Sequence, residues 1–264
     1  MELQLDGHRV FVATGHQELE PGKPTIVFIH GAGMDHTVWT LFSRYFARRG
    51  YNVLAPDLPA HGRSGGAPLP SVPAMAEWID TLLATLGIER AAVVGHSMGS
   101  LVAFEFAASF PARATRAVLL GFALPMAVGP PLLEAARNND PAAIDMMVIF
   151  GHDFRSQLGG NRVSGVHVVN SAKRLLERNR PGVLFNDLNA CNDYANDSAA
   201  QTIQCPVVFG SGARDKMTSP RVAAAMAQGL AHGRFEVIEN SGHGVMAEQP
   251  ESTHRLLVAA LGSA

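Results

Sequence analysis

Gly95-His96-Ser97-Met98-Gly99 places a serine between two glycines in a G-x-S-x-G pentapeptide. It follows the apolar run Ala91-Ala92-Val93-Val94 and precedes Ser100-Leu101-Val102-Ala103-Phe104, which reads as the opening of a helix. Between a strand and a helix this pattern is a nucleophile elbow, a turn so tight that its flanking positions must be nearly free of side chain. The turn holds the serine hydroxyl out at the end of a sheet and aims the first N–H groups of the helix at whatever the serine attacks. A serine hydroxyl is a poor nucleophile until a neighbouring base removes its proton. Ser97 therefore needs partners elsewhere in the chain.

Two strand-like runs supply them. Cys205-Pro206-Val207-Val208-Phe209-Gly210-Ser211-Gly212 leads into Ala213-Arg214-Asp215, and Arg234-Phe235-Glu236-Val237-Ile238-Glu239 leads into Asn240-Ser241-Gly242-His243-Gly244. His243 suits a base, because an unperturbed imidazole pKa of about 6.5 allows proton transfer in both directions near neutrality. Asp215 would accept from the other ring nitrogen, fixing the tautomer and stabilising the imidazolium. The order nucleophile, acid, base differs from that of the two main serine-protease folds. Each residue lies just past a strand's C-terminal end, where open parallel sheets place their active sites. For Asp215 the competing reading is a turn aspartate, yet the preceding strand is followed by Gly121-Phe122-Ala123-Leu124, which offers no carboxylate.

In these residues and their order the chain resembles the α/β-hydrolase superfamily, in particular carboxylesterase-like serine hydrolases with a helical cap. The resemblance spans essentially the whole chain and is weakest in the middle third. Ile26-Val27-Phe28-Ile29 followed by His30-Gly31-Ala32-Gly33 looks like the family's H-G-x loop, and Pro56-Asp57-Leu58-Pro59-Ala60-His61-Gly62-Arg63-Ser64 resembles its D-x-x-G-x-G-x-S loop. The correspondence implies that the oxyanion hole is built from the backbone N–H groups of Ala32 and Met98. Ala60 and Ser100 stand where glycines are usual. Both are small.

The elements that must position these residues follow from periodicity. Strands are predicted near 2–5, 8–14, 25–29, 51–55, 91–95, 116–121, 206–211 and 234–239, with a hairpin turn at Asp6-Gly7. Helices near 37–49, 73–87 and 98–110 are each apolar on one face, and helices near 219–229 and 250–262 continue the alternation. Residues 122–204 break the alternation: Leu132 to Asn138, Pro141 to Phe150, Ser171 to Arg180 and Gly182 to Tyr194 all read as helical. The expected fold class is α/β, a mostly parallel eight-stranded sheet with helices on both faces and a helical cap inserted after the sixth strand. Residues 1–121 and 205–264 would form the core domain and 122–204 the cap.

The expected substrate pocket is apolar. Met34, Phe122, Leu124, Met126, Val245 and Met246 lie beside the motifs, as does His96, while Met146, Met147, Val148 and Phe150 would form one face of a cap helix. For most of these the alternative is that they simply pack the cap on the core. Methionine surfaces adapt in shape, which would give broad selectivity for small to medium, uncharged substrates. Of the remaining histidines, His30 and His61 are expected to tie loops together; His36, His152 and His167 could reach the pocket from loop or cap, with surface or core placement the expected reading. Asp57, Arg63 and Ser64 are expected to organise their loop.

The chain has 264 residues, 47% of them hydrophobic, and a formal charge of −2, which gives no sign of nucleic-acid binding. No run approaches the roughly 18 apolar residues needed to span a bilayer. The N-terminus shows neither a basic nor an apolar signal region, so a cytoplasmic location is the default expectation. Cys191 and Cys205 suggest neither a disulfide framework nor a metal site. The expected activity is that of a serine hydrolase acting on small-molecule carboxylic esters, with lactones and thioesters within reach of the same acyl-enzyme chemistry and no metal or organic cofactor required. Carbon–carbon bond hydrolysis and perhydrolysis use the same triad, although the His30-Gly31-Ala32-Gly33-Met34-Asp35 loop lacks the proline usual in the former. Epoxide hydrolases and haloalkane dehalogenases need an aspartate nucleophile, which Ser97 excludes. From another class, a ligand-binding protein could keep the fold without turnover.

Overall fold

A computed structural model describes residues 1–262 apart from 161, 163, 164 and 197. The strands are β1 (Glu2–Leu5), β2 (His8–Ala13), β3 (Thr25–Ile29), β4 (Asn52–Pro56), β5 (Ala91–His96), β6 (Ala114–Leu120), β7 (Val207–Gly212) and β8 (Gly233–Ile238). They form one eight-stranded sheet in the order β1-β2-β4-β3-β5-β6-β7-β8. The β1–β2 hairpin and the β2–β4 pairing are antiparallel, and every pairing from β4 to β8 is parallel. The C-terminal ends of β3, β5, β7 and β8 therefore point the same way, and their loops meet above one edge of the sheet.

Strand β3 shows how the sheet is held. All five of its residues are buried, and successive side chains face opposite sides. Ile26 and Phe28 pack with Trp39, Phe46 and Leu257, the side covered by α1 (Thr40–Ala47) and α11 (Pro250–Leu261). Val27 and Ile29 join Ile79, Leu82, Leu101 and Phe104 on the other side, under α2 (Val72–Thr85) and α3 (Met98–Ser109). Such two-sided burial is why the parallel strands read as continuous apolar runs rather than alternating ones.

Helix α3 departs from the one-sided pattern expected of it. Every residue from Met98 to Ala108 is buried, because α8 (Val183–Asp193) and a short 3₁₀ turn at Ala199–Gln201 cover the side away from the sheet. Its buried Glu105 accepts from Tyr194 Oη at 2.6 Å, Asn196 Nδ2 at 2.9 Å and Ser109 Oγ at 2.6 Å, so no lone charge is left in the core.

Between β6 and β7 the described residues hold α4 (Pro130–Arg137), α5 (Pro141–Gly151), α6 (Phe154–Gln157), α7 (Val168–Leu176) and α8, and no strand. Helix α7 starts earlier than the pattern suggested, because His167 caps it by accepting from the Asn170 N–H through Nδ1. The 37–49 helix divides into a 3₁₀ turn at His36–Trp39, capped by the Asp35 carboxylate, and α1. Helices α9 (Pro220–Gly229), α10 (Val245–Glu248) and α11 complete the chain, α6 and α10 being single turns too short for periodicity to reveal. No helix among the described residues is long and apolar enough to cross a membrane.

Phe28 is fully buried, with its ring centroid 5.1 Å from that of Trp39 and 6.1 Å from that of Phe46. Phe28→Ala is expected to destabilise the fold by about 3–5 kcal/mol, read as a lowered midpoint in urea unfolding followed by circular dichroism. A loss under about 1 kcal/mol would mean that this face of the sheet is not close-packed.

Candidate active site

Ser97 joins β5 to α3 at φ 55° and ψ −121°, a left-handed conformation that a side-chain-bearing residue adopts only under strain. The chain folds back so closely that a Cβ on Gly95 would lie 1.9 Å from the Gly99 carbonyl oxygen, and one on Gly99 would lie 2.2 Å from that of Ile29. Both positions admit only glycine. Ser97 N–H donates to the Leu120 carbonyl at 2.9 Å, while Ser100 N–H and Oγ donate to the Ser97 carbonyl at 2.8 and 2.6 Å. Ser100, where a glycine is usual, thus ties the elbow from within.

The loops after β7 and β8 bring Asp215 and His243 together. His243 Nδ1 donates to Asp215 Oδ2 at 2.8 Å. The other carboxylate oxygen accepts the Met217 and Thr218 N–H groups, each at 2.8 Å, and Thr218 Oγ1 donates to Oδ2 at 2.7 Å. Burial pushes the Asp215 carboxyl up, but the His243 charge and these hydrogen bonds outweigh it and hold the group at about 2. Thr218 was not singled out from the sequence, although Asp followed by Thr three residues on is the spacing of a local side-chain cap.

His243 Nε2 is buried and makes no hydrogen bond, and Ser97 Oγ has no partner among the described residues. Gly121, at φ +60°, makes room for the imidazole: a Cβ there would lie 2.7 Å from His243 Cε1. His96 donates from Nε2 to the His243 carbonyl at 2.9 Å. Burial, reinforced by the neighbouring His243, lowers His96 to about 3, so it stays neutral and acts on the loop rather than on protons.

The loop after β3 is braced from two sides. His30 donates from Nδ1 to the Gly31 carbonyl at 2.9 Å and accepts the Leu58 N–H on Nε2 at 3.1 Å. Burial and the nearby His61 lower it to about 4, in keeping with a neutral ring. Asp187, on α8, accepts the Gly33 N–H at 2.9 Å and pairs with His61 Nε2 at 2.8 Å. His61 Nδ1 faces the Pro59 carbonyl at 3.0 Å, so both ring nitrogens meet acceptors, an arrangement that favours the protonated ring. Burial alone would lower His61, but the Asp187 carboxylate raises it above its ordinary value. The N–H groups of Ala32 and Met98 donate to no other group among the described residues.

A cavity of about 570 Å³ reaches this cluster at His243 and His96. Met34, Met147 and Met246 line it, with Val148, His152, Leu175 and Met217, which were not assigned to the pocket from sequence apart from Val148. Six expected lining residues lie elsewhere. Phe122 packs against Phe104 and Phe209 inside the core, Leu124 and Met126 are buried in the same cluster, and Val245 belongs to the cluster on the opposite sheet face. On α5, Met147, Val148 and Gly151 share the cavity face, which turns Met146 aside and leaves Phe150 49% exposed on the outer surface. A second cavity, of about 360 Å³ between α4, α5, α7 and α8, contains none of Ser97, Asp215 and His243.

Asp35, His36 and Asp57 bring one donor atom each within 4.8 Å of one another. Their atoms are committed: Asp57 Oδ1 accepts the His36 N–H at 2.7 Å and Nδ1 at 2.8 Å, and Asp35 Oδ1 accepts the Thr37 N–H at 2.9 Å. This cluster caps and staples loops.

Asp215, with its side chain fully buried and its value depressed to about 2, stabilises the fold by about 2 kcal/mol above pH ~4, and this contribution is lost as pH falls through about 2. The stability difference between the wild type and Asp215→Asn should therefore shrink across that acid window in urea melts at successive pH values. A difference independent of pH would contradict the hydrogen-bonded, ionised carboxylate.

Residues 24–250 match the family described as the alpha/beta hydrolase fold. Over 243 residues the chain is 30% identical to a pimeloyl-[acyl-carrier protein] methyl ester esterase of Aromatoleum aromaticum, covering 87% of this chain and 94% of that one. It is 28% identical over 264 residues to a 2-hydroxy-6-oxononadienedioate/2-hydroxy-6-oxononatrienedioate hydrolase of Paraburkholderia phymatum, covering 91% and 88%. Among solved structures, an enol-lactonase from Burkholderia xenovorans superimposes with a TM-score of 0.86 at 21% identity, covering 99% of both chains. With its family match spanning β3 to β8 and their loops, this chain is a hydrolase belonging to the alpha/beta hydrolase fold family.

Proposed function

We propose that this chain is a carboxylesterase that cleaves small to medium, largely apolar esters through Ser97, His243 and Asp215. The observation that carries the reading is the state of His243: Nδ1 is committed to Asp215 at 2.8 Å while Nε2 is bare. A hydrogen bond from Nδ1 leaves Nε2 as the basic nitrogen. Ser97 Oγ attacks the ester carbonyl as its proton passes to His243 Nε2. The Ala32 and Met98 N–H groups receive the developing oxyanion; one such donor is typically worth about 10²–10³ in rate. His243 returns the proton to the departing alkoxide, leaving acyl-Ser97. A water molecule, deprotonated by His243, then releases the acid and restores Ser97. Lactones and thioesters follow the same steps.

Residues 122–204 are read as a cap over a core made of 1–121 and 205–264. The cavity between them favours an uncharged substrate, since Met34, Met147, Met217 and Met246 supply much of its wall. A second reading is hydrolysis of a carbon–carbon bond in an acidic substrate. Arg174 and Arg178 also line the cavity and favour it, as does the relative named for a dioate.

Turnover of a short-chain aryl ester should be abolished by Ser97→Ala and lowered about 10⁴-fold by Asp215→Asn. A loss of only about twofold in Asp215→Asn would move the acid to another residue. Labelling of Ser97 by a fluorophosphonate should require His243; equal labelling of His243→Ala would overturn the base assignment. Cleavage of a 2-hydroxy-6-oxo dienoic acid with no ester turnover would select the second reading.

A further inference from the structure

Three buried polar side chains line the cavity among the described residues: His96, His243 and His152. His243 is held by Asp215, and His96 by its bond to the His243 carbonyl, with its Nδ1 fully buried and without a partner among the described residues. His152 closes α5 and is 6% exposed. Nδ1 lies 2.9 Å from the Val148 carbonyl, which can only accept, so Nδ1 carries the proton and Nε2 presents a lone pair. Burial lowers the imidazole below its ordinary value; His243 adds to this, and the Val148 carbonyl and Glu248 offset it only in part. At neutral pH the ring is therefore an uncharged acceptor.

Nε2 makes no hydrogen bond among the described residues, and unlike His243 Nε2 it is not among the fully buried atoms of the cavity wall. Gly244 leaves it uncovered: a Cβ there would lie 3.2 Å from Nε2 and 3.3 Å from Cδ2. The ring is also held still. Gly244 N–H donates to the Gly151 carbonyl at 2.9 Å, Gln157 Nε2 to the His152 carbonyl at 3.0 Å, and Asp153 N–H to the Glu248 carboxylate at 2.8 Å. A rigid, neutral acceptor in an apolar cavity, one residue along the chain from a contact with the catalytic histidine loop, is built to receive a donor from outside the protein.

We propose that His152 Nε2 is a specificity-determining acceptor for a hydroxyl group on the substrate, so that hydroxy-substituted esters are preferred over their unsubstituted parents. This rests on reading the cavity as the substrate site. A lone pair needs a donor, so an ionised carboxylate or phosphate on the substrate would gain nothing from it, and in an apolar cavity a hydroxyl costs less to desolvate than an ammonium.

The test compares hexyl hexanoate with analogues carrying one hydroxyl, moved along the acyl chain and along the alcohol chain. Wild-type kcat/KM and calorimetric Kd values for Ser97→Ala are both measured. At least one analogue should exceed the parent by about tenfold in each readout, the scale of one buried neutral hydrogen bond. His152→Phe keeps a ring without the acceptor and should bring the ratio to about one. His152→Gln can return an oxygen to the Nε2 position and should restore part of the preference. If His152→Phe does not fold, His152→Leu asks the same question with less volume. Equal values for the parent and every analogue, or a preference that survives loss of the acceptor, overturns the proposal. Should no ester turn over and Ser97 resist labelling, the esterase reading fails separately, and the Ser97→Ala binding ratios still decide the role of His152.

Discussion

The left-handed turn at Ser97, φ 55° and ψ −121°, sets the terms for everything around it. A non-glycine residue held there costs on the order of 1–3 kcal/mol and persists only where its surroundings over-determine it. Here they do. Gly95 and Gly99 allow β5, α3 and the end of β3 to approach within distances that admit no side chain, and the buried faces of β3 and α3 hold that approach in place. The strain leaves the hydroxyl clear of its own helix and leaves the Met98 N–H without an acceptor among the described residues.

The same logic extends to the neighbouring loops, each secured by a buried charged group rather than by apolar packing alone. Asp187 reaches from α8 to the Gly33 N–H and to His61. Glu248 accepts the Gly242 N–H at 2.9 Å, the Asp153 N–H at 2.8 Å and Ser156 Oγ at 2.8 Å, so one carboxylate joins the His243 loop to the start of α6. Arg214 adds a bond to Asp153 at 2.7 Å. Removing one partner from such a buried network leaves the other unsatisfied, which makes these contacts stiff as well as attractive. The helices between β6 and β7 are in this way referenced to the loops that carry Gly33 and His243.

Much of the architecture was legible because it is written in local patterns. Parallel strands buried on both faces read as apolar runs, and all eight were anticipated to within about two residues. The elbow, the His30-Gly31 loop and the Asp57 loop were legible because their backbone geometry demands particular small or polar residues at set spacings. Illegible were single-turn helices such as Phe154–Gln157 and Val245–Glu248, and the all-round burial of α3, which depends on α8 arriving from far along the chain. The pocket was legible only in part. Apolar residues beside a motif face either the cavity or the core, and for Phe122 the choice went to Phe104 and Phe209.

What the sequence by itself determined is the chemistry available at each strand end: Ser97 between glycines, Asp215 and His243 past the last two strands, and the family to which that order belongs. These depend on residue type and near-neighbour spacing, which the chain carries wherever it folds. Only the tertiary structure decided which groups are paired and which are left bare. It joined Asp215 to His243, left His243 Nε2 and His152 Nε2 without partners among the described residues, set His61 between the Asp187 carboxylate and the Pro59 carbonyl, and turned Met147 inward and Phe150 outward. Those outcomes turn on approaches of a few ångströms between segments tens to more than a hundred residues apart, and no local pattern encodes them.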